Sequence, residues 1–258
     1  MTKFKSIMIV IISMMILTAC NNEVSDISTF ESESEINVET STEPTNTPTP
    51  EPTNTPSPTP EPTPEYIEFG RYEQDGDTSN GPEPIEWQVI SDEGDRLLLI
   101  SRYILDCHPY DTGWEVTWET CDLRSWLNND FINAAFDESE QNQILTVTLS
   151  NPDNEEYGTE GGNDTEDRVF CLSAEEILND QFDCSPELSA EFTQYVVQYA
   201  EYQWNDVQID TDWWLRSPGV NYHTACIVNH YGYVGWNSFY DTNNLSIGVR
   251  PALYLSVQ

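Results

Sequence analysis

The chain has 258 residues and carries 46 acidic against nine basic side chains, for a net charge of −37. Nucleic acid and anionic lipid surfaces both demand a cationic footprint, so neither is a partner for the side chains of this protein. Cations, basic proteins and neutral glycans are left.

The first twenty residues read as an export signal. Lys3 and Lys5 precede the apolar run IMIVIISMMIL, Ile7 to Leu17, which as a helix covers only about 17 Å against the roughly 30 Å of a bilayer core. A basic start, a short apolar run and small residues before a break describe a secretory signal, not a membrane span. The ending LTAC resembles a bacterial lipobox, which implies that Cys20 carries an acyl (palmitate-type) lipid and becomes the mature N-terminus; ordinary signal cleavage nearby is the alternative. The expected location is the extracellular face of the bacterial cell membrane, with contact to the membrane through that lipid only.

Residues 21–65 read as a disordered tether. They hold ten acidic residues, no Lys or Arg, and nine prolines between Pro44 and Pro64, with EPTNTP at Glu43 and again at Glu51. Such a composition cannot bury enough apolar surface to offset the entropy of ordering. Its proline-rich half favours polyproline II, at about 3.1 Å per residue.

Residues 66–258 suit one domain, with 36 acidic residues against seven basic ones, all arginine, a net of −29. YIEFGRY predicts a strand, and IEWQVI and RLLLISRYIL predict a hairpin around SDEGD, with Leu97–Ile100 apolar on both faces and therefore central. CDLRSWLNNDFINAAF predicts a helix with Leu123, Trp126, Leu127, Phe131, Ala134 and Ala135 on one face, capped by Thr120. Asp137 with Glu140, and Ser173 with Glu176, have capping-box spacing. LTVTLS returns to strand. Ser185-Pro186-Glu187 predicts the start of a helix reaching about Tyr202. TDWWLRS, TACIVN, YVGW and GVRPALYLSV then predict strands, with the two ends of the domain able to pair. Strands, helices and strands without βαβ alternation make an α+β fold.

Five cysteines follow Cys20, an odd number for an oxidising compartment. Cys107 and Cys121 bracket a short loop and are expected to form a disulfide. Cys171 is expected as a free thiol on a strand, and Cys184 and Cys226 either pair or stay free.

Four ordered motifs, TWETCDLRSWLNNDF, SNPDNEEYGTEGGNDTEDRVFCLS, WWLRSPG and GVRPALYL, resemble a family of domains of unknown function in secreted and lipoprotein chains of Gram-positive gut bacteria. That family is similar in fold to C-type-lectin-like domains, the group that includes formylglycine-generating enzyme and variable proteins diversified by retroelements. The likeness runs from about Tyr66 to Leu255. The chain departs from the pattern in the stretch Glu187–Tyr202 and at Asn229–Gly232, which reads NHYG. The resemblance implies that WWLRSPG lies in a central sheet and that GVRPALYL closes the hairpin after it. Trp213 and Trp214, as successive strand residues, point to opposite faces. Arg216 and Arg250 are expected to tie loops to the sheet by bidentate bonds, with ligand binding as their alternative role.

The resemblance also implies a ligand-binding face on NYHTACIVNHYGYVGWNSFYDTNN, with Tyr222, His223, His230, Tyr231, Tyr233, Trp236, Phe239 and Tyr240 as candidates. Tyr and Trp supply contact area at low entropic cost, and their faces stack on sugar rings; the alternative is that they fill the core. The loop Asn151–Asp167 is rich in carboxylates and glycines and offers calcium ligands, with Asn163, Asp164 and Asp167 the best candidates. It lacks EF-hand spacing, and a solvated acidic loop is the other reading.

Catalytic motifs are missing. His108, His223 and His230 have no zinc-ligand spacing, and there is no Gly-x-Ser-x-Gly elbow, phosphate loop or Cys-x-x-Cys. The expectation is a non-enzymatic lipoprotein binding an extracellular glycan or protein. The alternatives are a cell-wall- or polysaccharide-acting hydrolase using a carboxylate pair, and a structural partner in an envelope complex.

Overall fold

The computed structural model describes residues 64–113, 115–179, 188–204, 211–235 and 240–257, all within a compact unit Thr59–Gln258. The signal, the lipobox and nearly all of the tether lie outside the described residues, as do Cys184 and Pro186. Among the described residues no helix is long and apolar enough to cross a membrane.

The fold is α+β, with mainly antiparallel sheets. β1 (Tyr66–Tyr72), β2 (Glu83–Asp92) and β3 (Arg96–Ser101) form a meander. The β2–β3 turn takes Gly94 to φ +88°, a conformation open to glycine. The last strand, β12 (Ala252–Ser256), pairs with β3 on one side and with β7 (Val169–Phe170) on the other, giving the order β1-β2-β3-β12-β7. The two ends of the domain therefore share a sheet without pairing, because β2 and β3 lie between them. β3 sits at the centre of the five strands, and Leu98, Leu99 and Ile100 are buried.

The second sheet has the order β10-β9-β8-β11-β4. Its centre is β8 (Trp213–Pro218), flanked by β9 (Ala225–Val228) and β11 (Gly248–Val249), with β10 (Val234–Gly235) and β4 (Asp106–Cys107) at the edges. Only β8 and β11 run parallel. A small ladder joins β5 (Val147–Leu149) to β6 (Thr165–Asp167). One buried apolar cluster takes in residues from both large sheets and from the helical segments at 122–135 and 174–179.

The predicted strand GVRPALYLSV is two strands in two sheets. Arg250-Pro251 carries the chain from β11 to β12, and Pro251 lacks the N–H that would continue a ladder. The Arg250 guanidinium is buried at this crossing, where it donates to Ser101 O (2.7 Å), Leu188 O (3.3 Å) and Gln88 Oε1 (3.5 Å) and lies 5.2 Å from the centre of the Trp213 ring. Burial among neutral acceptors lowers its pKa to about 10, so it is still charged at neutral pH.

The first helical segment is α1 (Asp122–Trp126), a π-helical turn (Leu127–Phe131) and α2 (Ile132–Ala135) in succession. Its cap is Cys121, whose sulfur accepts from the Arg124 N–H, while the Thr120 hydroxyl turns back to Thr117. The wider π turn shifts the phase, so Ile132 is buried and Ala134, expected on the apolar face, is exposed. In α3 (Glu138–Gln141) and α4 (Ala174–Asn179) both bonds of each capping box form.

α5 is Gln194–Trp204 and starts later than the Ser-Pro-Glu signal suggests. Phe192 makes a parallel bridge to Ile104, with Ile104 donating to Glu191 O and Thr193 donating to Ile104 O, which holds the backbone extended until the Thr193 hydroxyl caps Val196.

Replacing Arg250 by Ala removes the donors from three buried acceptors and leaves a cavity at the crossing. The expected loss in urea unfolding is about 3–4 kcal/mol, with Arg250→Lys intermediate because a point charge cannot reach all three acceptors.

Candidate functional site

All six residues of β8 are buried. Trp213 and Trp214 have no exposed surface, and their indole N–H groups reach opposite parts of the chain, Leu188 O at 3.1 Å and His108 O at 3.0 Å. Tyr110 packs edge-on against Trp214 and donates its hydroxyl to Arg216 O. Arg216 faces α4. Its Nη1 and Nη2 bind the two oxygens of Glu176 at 2.5 and 2.6 Å, and the same nitrogens also donate to Cys171 O (3.1 Å) and Ser150 O (3.4 Å). This fork joins the exit of β8, the start of α4 and the end of the β5 segment.

What leaves that junction is a turn and a loop, and Asn154 locks them together. Asn154 is 1% exposed. Its Nδ2 donates to Pro218 O and Gly219 O, its Oδ1 accepts from the N–H groups of Glu156 and Tyr157, and its backbone bonds to Thr159 and Gly158. Gly219 lies so close to Thr224 that an added Cβ would meet the hydroxyl at 2.5 Å. Sequence reasoning passed over Asn154; the signal was an Asn following Pro-Asp in a loop, a residue type whose side chain bonds to nearby backbone.

The candidate aromatic residues divide between the two ends of the β8–β9 hairpin. Tyr222 and His223 sit in the turn after β8, their rings 4.6 Å apart and T-shaped. Tyr240 joins that end, because Asp241 bridges Thr224 and Thr242 donates to His223 O. His230, Tyr231 and Tyr233 sit in the turn after β9, at the opposite end, which lies on the order of 16 Å away along the strand. There Asn229 Oδ1 accepts from the N–H groups of Tyr231 and Tyr233, and His230 Nδ1 lies 3.2 Å from the buried Asp212 carboxylate. The two groups are not brought together as one surface. Trp236 and Phe239 lie outside the described residues. Tyr222, Tyr231 and Tyr233 are exposed by 54, 68 and 54% and Tyr240 by 39%, so exposure alone does not choose between the ends.

A concavity does. At the Tyr222 end a groove of about 570 Å³ is lined by Glu115, Thr117, Thr120, Thr159, Glu160 and Tyr222, among others, within the size range of small-ligand sites. Val116 donates its N–H to Tyr222 O and so ties the two walls together. The lining combines one ring face, two carboxylates and several hydroxyls.

The calcium candidates do not converge. Asp167 is 1% exposed, and its oxygens accept from Arg124 Nε (2.6 Å), Trp118 Nε1 (3.0 Å), Thr165 Oγ1 (2.8 Å) and Asn128 Nδ2 (3.4 Å). A carboxylate so fully engaged has little left for a hard cation. Asn163 bonds to Glu119, and Asp164 points to solvent. The donor set does not fit the ion.

Cys107, Cys121, Cys171 and Cys226 are buried free thiols. The expected Cys107–Cys121 disulfide is absent: Cys107 lies in edge strand β4, while the Cys121 sulfur is engaged as the α1 cap and bonds to Trp118 O. Burial raises the pKa of all four thiols, Cys171 and Cys226 to about 12. At neutral pH they are protonated and therefore poor nucleophiles.

The model of the family described as a domain of unknown function (DUF6273) matches residues 94–257, more than half the chain, beginning inside the β2–β3 turn. No curated protein and no solved structure matches.

Glu176→Gln removes the counter-charge from a guanidinium that is 4% exposed, although Glu176 itself keeps 31% of its side-chain surface. The expected cost is about 2–3 kcal/mol in denaturant unfolding, at the low end for breaking a buried pair because of that residual exposure.

Proposed function

This chain belongs to the DUF6273 family, and we propose that it is a lipid-anchored surface protein whose lectin-like head binds a neutral extracellular glycan at the Tyr222 end of the β8–β9 hairpin. The observation that carries the reading is the groove itself, where a tyrosine 54% exposed stands beside Glu115, Glu160 and the hydroxyls of Thr117, Thr120 and Thr159. A sugar ring offers an apolar C–H face and a rim of hydroxyls. The Tyr222 ring suits the face. Carboxylates accept from sugar hydroxyls in strong charge-assisted bonds, and threonine hydroxyls can donate or accept.

Charge restricts the ligand further. With 36 acidic residues in residues 66–258 and carboxylates at the groove, an anionic sugar would be repelled, whereas a neutral one meets no such barrier. The lectin-like assignment draws support from the central place of β8, the hairpin that follows it, and the parallel return of β11 beside it. The anchoring reading rests on LTAC ending at Cys20 and on the proline-rich stretch behind it. Such a stretch would hold the head away from the membrane.

A glycan array probed with the full-length chain, followed by calorimetry on the best neutral oligosaccharide, tests the reading. Tyr222→Ala is expected to weaken binding at least about tenfold, equivalent to roughly 1.4 kcal/mol. Tyr231→Ala, at the far end, is expected to change it less than about twofold. Loss of binding in Tyr231→Ala alone would move the site to the other turn, and no neutral glycan bound at all would refute the reading.

A further inference from the structure

On the other side of the 152–160 loop lies a second concavity, of about 340 Å³, between that loop, α4 and the end of β8. Its floor is apolar: Pro152, Pro218 and Leu178, the last with 40% of its surface exposed although it is a leucine on a helix. Asp153, Glu155, Glu156 and Glu175 stand around it.

Among the described residues none of these four carboxylates forms an ion pair with an arginine. All seven cationic residues of 66–258 are arginines, and every one is described and committed elsewhere. Arg96 pairs with Glu93, Arg102 with Glu86, Arg124 with Asp167 and Arg216 with Glu176. Arg71 and Arg168 donate to Pro82 O and Gln141 O, and Arg250 is buried at the sheet crossing. Two of the four acids have local work: Asp153 accepts from the Gly161 N–H, and Glu156 bonds to Tyr157. Among the described residues no bond of the Glu155 or Glu175 side chain accounts for its place at the rim.

We propose that this pocket receives a lysine or arginine side chain presented by a basic peptide segment of a partner protein. The methylene stem of such a side chain covers the Leu178 and proline floor, and the charged head reaches the carboxylate rim, which is how long cationic side chains divide apolar and polar surroundings. The partner brings the cation because none of the domain's arginines pairs with this rim. The inference stands on the cavity and on where the arginines are committed, and it does not depend on the glycan groove.

Fluorescence anisotropy with labelled pentalysine and the full-length chain, at physiological ionic strength, tests it. The wild type is expected to bind pentalysine but not its side-chain-acetylated form. Leu178→Ala, which keeps every charge, and the double change Glu155→Gln with Glu175→Gln are each expected to weaken binding at least about fivefold. Two amide changes on the first sheet, Glu68→Gln with Asp92→Asn, are expected to stay within about twofold of wild type, as is Tyr222→Ala. Thermal melts of each variant confirm that the fold is kept. Wild-type affinity in Leu178→Ala, equal weakening by the first-sheet changes, or no pentalysine binding would each overturn the proposal; equal weakening would assign the attraction to overall charge.

Discussion

The described end of this domain is organised by one ion pair, the fork between Arg216 and Glu176. Arg216 is the last long side chain of β8 before the chain turns at Pro218 and Gly219. Glu176 belongs to the first turn of α4, and the same guanidinium also holds the backbone of Cys171 and Ser150. Four segments are thus fixed at one point, and the acidic loop and the Tyr222 turn both depart from it. A buried ion pair is weak evidence for stability by itself, because desolvation offsets much of the attraction. Its contribution here is geometric: a planar fork admits few arrangements of the two elements it joins. Arg250 solves a different problem. It stands where the chain changes sheets, and burial lowers its pKa while neutral oxygens keep that crossing hydrogen-bonded.

Much of the fold was legible because its signals are local. Apolar and aromatic runs bounded by turn residues marked β1, β2, β3, β8 and β9, and both capping boxes were read from a three-residue spacing. What the sequence hid is non-local. The split of GVRPALYLSV depends on which strand lies beside each half, and no periodicity within ten residues encodes that. The α5 start moved because Phe192 pairs with Ile104, almost ninety residues away in sequence. The π turn shifted a helical face by inserting one residue per turn, which a fixed 3.6 period cannot anticipate. The cysteine pairing failed for a related reason, since spacing along the chain says nothing about where Cys121 directs its sulfur.

The aromatic segment illustrates the same limit at the site. A stretch crowded with rings looks like one surface on paper. Once β8 and β9 pair, its two turns fall at opposite ends, and only the turn after β8 meets the 115–120 segment and the acidic loop in a groove. That loop then has two sides. One faces the Tyr222 groove and the other faces the Leu178 pocket, while Asn154 holds it from within through bonds to both its own backbone and the β8 turn. The acidity that composition presents as a diffuse property of the whole chain is concentrated here into two distinct settings. In one, carboxylates flank an exposed ring; in the other, they surround an apolar floor.

Amide hydrogen exchange on the full-length chain, with and without a saturating neutral oligosaccharide drawn from an array, tests the central claim most directly. The account predicts slowed exchange at 115–120, 158–160 and 220–224, and none at 229–233. Protection confined to 229–233, or absent from every one of these segments while the sugar is bound, would contradict it.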